Sequence, residues 1–366
     1  MANKTEARKT DHLEICLREN VQARRVTTGF EELYLVHKAL PEISRKEINL
    51  STKVFNHKFS APLLVESMTG GTPKATKINA AIARAIEELG LGMAVGSQRA
   101  AIEDPKVEGT FKIARKEAPN AFIIANLGAP QLAGGYGVKQ ARKAVEMLDA
   151  DALAIHLNPL QEAIQPEGET SYVGVLDAVE KIVKGLDVPV IVKETGCGIA
   201  AAEAKQLEAI GVAAVDVAGA GGTSWAAVEY YRAKNQMDEF RQRLGETFWD
   251  WGIPTAASLI EVAQRVRILV IASGGIRSGI DVAKALALGA SLAGMAYPVL
   301  DPAVHGAEEV KKRLQLIIEE LRNTMFLVGA DSVQKLRKVP IVVTGKMADW
   351  LTMRGFEPPI YARRGL

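Results

Sequence analysis

The chain has little of what marks secreted, membrane-spanning or nucleic-acid-binding proteins. Its 366 residues include two cysteines, Cys16 and Cys197, which is too few for a disulfide framework and suits a reducing cytoplasm. No apolar run of the sequence approaches the ~20 residues that cross a bilayer, and the charged N-terminus lacks the apolar core of a signal peptide. We therefore expect a cytoplasmic protein without a membrane segment.

An excess of one charge sign is also missing. The 45 Lys and Arg residues are nearly balanced by 43 Asp and Glu residues, for a formal net charge of +2. Such a balance gives no reason to expect a nucleic-acid partner or an anionic membrane surface. The hydrophobic share of 48% and the charged share of 24% are those of an ordinary globular protein.

Short aliphatic runs alternate with helical patterns along the chain, which predicts βαβ units and a parallel sheet. Eight such runs occur, at residues 62–67, 92–96, 122–126, 152–158, 189–193, 214–218, 268–272 and 291–296. Helical patterns occupy 77–89, 139–148, 173–186, 200–210, 280–288, 310–326 and 345–353. Because the eight runs are almost continuously apolar, we expect both faces of the sheet to be buried.

Two architectures bury a parallel sheet in this way, an open doubly wound sheet and a (β/α)8 TIM barrel. Eight βα repeats in sequence with a glycine-rich turn near the end favour the barrel. We predict one domain over residues 1–366, with an N-terminal extension at 1–61, a barrel core at 62–300 and C-terminal helices at 301–366. An aromatic insertion at 226–257, after strand six, would form a lid or pack on the barrel rim or a neighbouring subunit.

A candidate phosphate site follows strand seven, in the run Ser273-Gly274-Gly275-Ile276-Arg277. Two adjacent glycines let backbone N–H groups approach an anion, a helix N-terminus follows, and Arg277 adds a charged fork. TIM barrels commonly place a phosphate site in their last two βα loops. The turn alone is ambiguous, because a tight strand-to-helix connection also needs glycine without any ligand.

Polar residues also follow other predicted strands, and the C-terminal ends of all eight strands meet on one face of a barrel. His156 and Asn158 lie two residues apart and therefore point the same way, while Gln161 and Glu162 follow in the loop. Four polar residues at one strand end favour a functional site over isolated structural groups.

Lys193 ends strand five, where an ammonium group is costly unless it meets an anion or a polar ring. Contact with a ligand is the interpretation that we favour. A salt bridge to a neighbouring strand-end carboxylate, such as Glu66 or Glu194, is the structural alternative.

Seven short motifs follow one another along the chain. They are Arg8-Lys9-x-Asp11-His12, Met68-Thr69-Gly70-Gly71, Gly96-Ser97-Gln98-Arg99, His156-Leu157-Asn158-x-x-Gln161-Glu162, Lys193-Glu194, Gly221-Gly222-Thr223-Ser224-Trp225 and Ser273-Gly274-Gly275-Ile276-Arg277. In this order they resemble the type 2 isopentenyl-diphosphate isomerases. The match covers the chain from its first residues to beyond strand eight, and no element of the pattern is missing.

The resemblance implies an FMN-dependent barrel enzyme that interconverts isopentenyl and dimethylallyl diphosphate. It implies Mg²⁺ on the substrate diphosphate and a flavin that is active when reduced by NADPH. A homo-oligomer, either a tetramer or an octamer, is expected with it. Because moving a double bond causes no net redox change, the flavin is expected to act as an acid/base or electrostatic partner.

The resemblance also implies roles for individual residues. The flavin would contact Ser67, Met68, Thr69, Gly70, Ser97, Asn126 and Lys193, and its phosphate would lie among Thr223, Gly274, Gly275, Arg277, Ala296 and Tyr297. The substrate would contact Arg8, Lys9, His12, Ser97, Arg99, His156, Asn158, Gln161 and Trp225. Glu162 would bind Mg²⁺, and Gln161, His156 and Lys193 are the candidate catalytic residues.

Two other functions remain open at this point. An FMN-dependent 2-hydroxy acid oxidase or dehydrogenase would share the phosphate turn and the strand-five lysine, but it is expected to carry a His-Gly-Gly-Arg arrangement where this chain has Ser273-Gly274-Gly275-Ile276-Arg277. A non-catalytic flavin-binding barrel is the second alternative. It would have no use for a metal ligand such as Glu162 beside His156.

Overall fold

In the computed structural model, which describes residues 4–365, eight parallel strands close into a barrel. The strands are Leu63–Val65, Gly92–Ala94, Phe122–Gly128, Ala152–His156, Val190–Lys193, Ala214–Asp216, Leu269–Ala272 and Leu292–Met295. Each strand pairs with the next, and the eighth pairs with the first. The predicted TIM barrel is therefore confirmed, and the open sheet is excluded.

Helices cover the outside of the barrel between successive strands. They include Pro73–Leu89, Gly109–Glu117, Val138–Leu148, Val175–Gly185, Ala201–Ala209, Thr255–Ala263 and Gly279–Ala287. The first of these begins earlier than the periodicity predicted, because Thr72 caps it by accepting a hydrogen bond from the N–H of Ala75, and Pro73 occupies its first position.

The interior of the barrel changes from apolar to polar along several strands. Ile191 and Ala214 belong to an apolar cluster inside the barrel. Because side chains alternate with a period of two, Lys193 and Asp216 point the same way as Ile191 and Ala214, one level closer to the C-terminal ends. The strands thus build a packed floor beneath a polar rim.

A short hairpin closes the opposite, N-terminal end of the barrel. Its strands, Thr52–Val54 and His57–Phe59, are antiparallel and turn at two residues with positive φ, Phe55 and Asn56. The Phe59 ring lies 5.5 Å from the Phe122 ring, measured between centroids. This hairpin falls in the predicted N-terminal extension, where the aliphatic pattern did not indicate strands.

Segments that precede and follow the barrel in the sequence meet on its outside. Leu33–Leu35 pairs antiparallel with Ile341–Val343. The long helix Ala307–Leu327, which follows the barrel, packs against Pro73–Leu89 and Gly279–Ala287. Residues before and after the barrel therefore form one layer over it.

Three helices lie at the C-terminal rim of the barrel. One is the N-terminal helix Lys4–Arg18, hereafter the lid helix, and it packs on the inserted helix Trp225–Asn235, which in turn packs on Glu239–Thr247. Several aromatic residues of the insertion pack edge to face in a cluster, namely Tyr230, Tyr231 and Trp249. No helix among residues 4–365 is long and apolar enough to cross a membrane.

Candidate active site

A cavity of about 270 Å³ opens at the C-terminal ends of the barrel strands. With one exception, every residue predicted for the site lines this cavity. The exception is Gly70, which lies against the Phe111 ring, since a Cβ atom at Gly70 would come within 2.0 Å of that ring. Residues that are far apart in the sequence therefore share one enclosed space.

The phosphate turn has the backbone geometry that its glycines suggested. Gly274 and Gly275 have φ angles of 94° and 71°, in the left-handed region that favours glycine. A Cβ atom at Gly274 would also lie 2.2 Å from the carbonyl oxygen of Gly219. Among residues 4–365, no group accepts a hydrogen bond from the N–H of Gly274, Gly275 or Ile276, which leaves three donors at the cavity wall.

Arg277 completes this turn. Its guanidinium donates to Gln22 Oε1 and lies 4.6 Å from the centroid of the Tyr297 ring. Burial lowers the pKa of Arg277, so a phosphate beside it would favour the charged form. Free N–H donors and a desolvated arginine fit the phosphate of a flavin mononucleotide.

The strand register places a buried charge cluster at the centre of the cavity floor. His156 pairs with Lys193 and Lys193 pairs with Asp216 on successive strands. Lys193 Nζ lies 3.5 Å from Asp216 Oδ2 and 3.7 Å from Glu66 Oε2, and it donates to the Glu194 carbonyl oxygen at 2.7 Å. Lys193 thus makes the salt bridge that was its structural alternative and lines the cavity as well.

The charges of this cluster follow from its burial. Burial alone would lower the pKa of Lys193, but the carboxylates of Asp216 and Glu66 raise it. Burial and the nearby Asp216 raise the pKa of Glu66 to about 8. Near neutral pH the Glu66 carboxyl group is therefore mostly protonated, whereas Lys193 keeps its positive charge.

His156 is held in its neutral form. Its Nδ1 lies 2.7 Å from Asn126 Oδ1, and Asn126 Nδ2 donates to Ser67 Oγ at 2.8 Å. Burial, together with the charges of Lys193 and Lys9, lowers the pKa of His156 to about 3. Because an amide oxygen only accepts, Nδ1 carries the proton in this arrangement.

The lid helix brings basic side chains to the mouth of the cavity. Three of its residues line the cavity, namely Arg8, Lys9 and His12. Lys9 Nζ donates a hydrogen bond to the Ser97 carbonyl oxygen at 2.7 Å. Burial and the neighbouring Arg8 lower the pKa of Lys9 to about 7. Arg99 joins them from the barrel side and is paired with acidic side chains.

Glu162 is a buried carboxylate whose two oxygens are both held in place. Oε1 accepts from Asn158 Nδ2 at 2.8 Å, and Oε2 accepts from Gln165 Nε2 at 2.6 Å and from the N–H of Glu169 at 2.7 Å. Within the described chain, no three His, Cys, Asp or Glu side chains converge to hold a metal ion. A cation at Glu162 would therefore need oxygen ligands other than a second carboxylate, which suits Mg²⁺.

The sequence analysis missed some polar residues at the site, among them Glu229 and Asp216. Glu229 Oε1 lies 2.8 Å from His12 Nε2 and 3.5 Å from Gln161 Nε2. Its position one helical turn after Trp225 was the available signal. Asp216 lies two residues after Ala214, and the period of two would have placed it inside the barrel.

The barrel fold and a family profile define the class of this protein, an FMN-dependent barrel. The sequence profile of the FMN-dependent dehydrogenase family matches residues 129–342. A mandelate oxidase variant with an FMN adduct superimposes with a TM-score of 0.64, 19% identity, and coverage of 93% of this chain and 99% of that chain. Mandelate oxidase with (S)-2-phenylpropionate gives a TM-score of 0.61, 20% identity, and coverage of 91% and 94%.

Sequence relatives define the family more closely. An isopentenyl-diphosphate delta-isomerase of Methanothermobacter thermautotrophicus is 51% identical over 357 residues, which are 98% of this chain and 99% of the relative. One of Pyrococcus furiosus is 52% identical over 359 residues, 96% of this chain and 90% of the relative. The chain belongs to the isopentenyl-diphosphate delta-isomerase family, as its motifs predicted.

Proposed function

We propose that the protein interconverts isopentenyl diphosphate and dimethylallyl diphosphate with FMN and Mg²⁺ in the cavity described above. In this isomerisation one carbon of the substrate gains a proton and another loses one, so the double bond moves without net oxidation. One observation carries the proposal beyond family membership. The basic side chains of the lid helix face the same cavity as Glu162 and the phosphate turn, so a second phosphate group can bind in addition to that of the flavin.

The substrate diphosphate is assigned to the mouth of the cavity. Arg8, Lys9 and Arg99 supply positive charge there, and guanidinium groups pair well with phosphate oxygens. Glu162 would hold Mg²⁺ against the same diphosphate. The lid helix, lying over these groups, would exclude water from the bound substrate.

The alkene is assigned to the space near Gln161 and Trp225. Gln161 Oε1 accepts from Asn158 Nδ2 at 3.1 Å, and Gln161 Nε2 faces the Glu229 carboxylate. Burial would raise the pKa of Glu229, but His12 and Arg232 hold it below its usual range. Gln161 thus connects the alkene site to an ionised carboxylate, which suits orientation of the substrate or relay of a proton.

Bound FMN, in its reduced form, would supply an acid/base or electrostatic partner at the alkene. Lys193 would hold a positive charge against the polar edge of the flavin ring, and Met68 would give the ring a soft apolar contact. NADPH as the reductant, a tetrameric or octameric assembly and a cytoplasmic location complete the proposal, on the strength of the sequence motifs.

The oxidase alternative is not favoured by the site. A 2-hydroxy acid oxidase is expected to carry a histidine where this chain has Ser273, and Ser273 Oγ donates to Asp216 Oδ1 at 2.6 Å. The mandelate oxidases, at 19% and 20% identity, share the fold and carry no argument about the substrate.

Anaerobic incubation tests the proposal. Purified protein loaded with FMN and reduced should convert isopentenyl diphosphate to dimethylallyl diphosphate when Mg²⁺ is present, and removal of Mg²⁺ with EDTA should stop the reaction. Glu162→Gln should lose most activity and keep its FMN. Absence of product, together with bleaching of the oxidised flavin by a 2-hydroxy acid, would support the oxidase alternative instead.

A further inference from the structure

Gln165 lies beside Glu162 on the cavity wall and was not among the predicted site residues. Its side chain is 4% exposed, and its Nε2 donates to Glu162 Oε2 at 2.6 Å. A carboxylate oxygen accepts hydrogen bonds, so the group that faces Glu162 Oε2 is the amide nitrogen of Gln165. The orientation of the Gln165 amide is therefore determined by its partner.

The other end of this amide is an unsatisfied acceptor. Gln165 Oε1 is buried and, within residues 4–365, has no hydrogen-bond partner. Buried polar atoms in folded proteins are nearly always paired, so an orphan acceptor on a residue that lines a cavity is a candidate contact for a ligand. Gln165 is itself one of the residues that line the cavity.

The neighbouring groups cannot take this role, because their polar atoms are already used. Asn158 donates to Glu162 Oε1 through Nδ2, and Asn158 Oδ1 accepts from the Tyr172 hydroxyl at 3.2 Å. Gln161 Oε1 accepts from the same Asn158 amide. Gln165 is therefore the glutamine beside Glu162 that keeps a free oxygen.

We propose that Gln165 is a second protein residue of the divalent-cation site, with two functions. Its Oε1 joins the coordination shell of the cation held by Glu162, directly or through one bound water, and its Nε2 orients the Glu162 carboxylate. Amide carbonyl and carboxylate oxygens are hard ligands that suit Mg²⁺ and Mn²⁺. This inference rests on the proposed function, because it concerns the metal that the diphosphate carries.

The test separates the metal contribution to binding from all others. Calorimetry on FMN-loaded protein measures the affinity for inorganic diphosphate with Mn²⁺ and with EDTA, and the ratio of the two affinities is the metal increment. Gln165→Leu should lower the metal increment by about ten- to a hundredfold, the usual effect of losing a group that supports a metal ligand. The affinity of Gln165→Leu for inorganic diphosphate in EDTA should equal that of the unmodified protein.

Gln165→Glu distinguishes coordination from support of Glu162. With the cation bound, both carboxyl groups are ionised, so this variant keeps an oxygen for the cation but cannot donate to Glu162, and its metal increment should equal or exceed that of the unmodified protein. Gln131→Leu is the matched control, because Gln131 is a buried glutamine of the same cavity that donates to Glu169. Retained FMN in each variant verifies that the barrel is folded.

Three results would overturn the inference. An unchanged metal increment in Gln165→Leu would remove Gln165 from the site, and equal losses in the Leu and Glu variants would reduce it to a support for Glu162. If the unmodified protein has no metal increment, the metal part of the proposed function fails, and this inference fails with it. The first two results leave the proposed function intact.

Discussion

Burial changes the charge of individual side chains at the cavity. The pKa values of Lys9 and His156 are lowered to about 7 and about 3, and that of Glu66 is raised to about 8. All three shifts favour the neutral form, as expected when water is removed from an ionisable group. An anion that enters the cavity would restore charge to the basic groups.

Lys9 should take up a proton when diphosphate binds. With a pKa of about 7, it is mostly neutral at pH 8 and mostly charged at pH 6. Bound diphosphate favours the ammonium and raises its pKa, so uptake should be large at pH 8 and small at pH 6. Calorimetry in two buffers of different ionisation enthalpy measures the protons taken up per inorganic diphosphate.

The control for this titration is Lys9→Arg, because a guanidinium is charged at both pH values. Subtracting the proton uptake of Lys9→Arg from that of the unmodified protein removes the contribution of protons that diphosphate itself gains or loses on binding. Identical proton uptake in both at pH 8 would contradict a neutral Lys9 in the free protein.

Gln161 and Arg8 should differ in the kinetic step that they affect. Gln161→Ala should lower kcat far more than it raises KM, since Gln161 is assigned to the alkene in the transition state. Arg8→Ala should mainly raise KM, because a diphosphate contact exists before and during reaction. Steady-state kinetics of the reduced enzyme under anaerobic conditions measures kcat and KM for both variants. If Gln161→Ala loses only affinity for the substrate, Gln161 is a positioning residue.

Arg277→Ala should weaken FMN binding. Loss of one charge-assisted hydrogen bond costs about 1.5 to 3 kcal/mol, or roughly ten- to a hundredfold in affinity. Fluorescence titration of the apoprotein with FMN measures the change, and Arg84→Ala serves as the control because Arg84 does not line the cavity. Equal FMN affinity in folded Arg277→Ala and Arg84→Ala would show that Arg277 does not contact the flavin phosphate.

At the scale of elements, the lid helix Lys4–Arg18 belongs to the substrate side of the cavity. The groups assigned to FMN lie on barrel strands and on the loops that follow them, whereas the lid helix carries Arg8, Lys9 and His12. Removal of residues 1–18 should therefore leave FMN affinity nearly unchanged and weaken inorganic diphosphate binding at least about tenfold, for the loss of charge-assisted contacts.

Titrations with FMN and with diphosphate measure both affinities of the truncated protein. The double variant Arg8→Ala/Lys9→Ala is the matched control, since it keeps the helix and removes its charge. Loss of FMN from the truncated protein alone would assign the lid helix to the flavin site as well.

For the whole molecule, the hairpin beneath the barrel should contribute to global stability. Phe59 is 0% exposed and packs under Phe122, so Phe59→Ala should reduce the free energy of unfolding by about 3 to 5 kcal/mol. Phe240 is 73% exposed, so Phe240→Ala should change the free energy of unfolding by less than about 0.5 kcal/mol. Urea unfolding of the apoproteins measures both free energies of unfolding. Similar losses in Phe59→Ala and Phe240→Ala would show that the hairpin is not part of the barrel core.

Local patterns determined the order of the barrel elements and the chemistry at the strand ends. Eight apolar runs predicted the eight strands because a strand buried on both faces is apolar throughout. The turn at Gly274 and Gly275 was predicted because the left-handed backbone there favours glycine. The hairpin at Thr52–Val54 and His57–Phe59 escaped prediction, since its short strands are stabilised by packing under the barrel and not by their own pattern.

Only the tertiary structure decided which groups meet and how they are charged. Glu229 reaches His12 across 217 positions of sequence, and Gln165 acquires its orphan oxygen because Glu162 occupies its nitrogen. The pKa of Glu66 depends on burial and on Asp216, which is close in space but lies on a strand far away in the sequence. Such charges are set by desolvation and by neighbours at a few ångströms, and both quantities exist only after the barrel has closed.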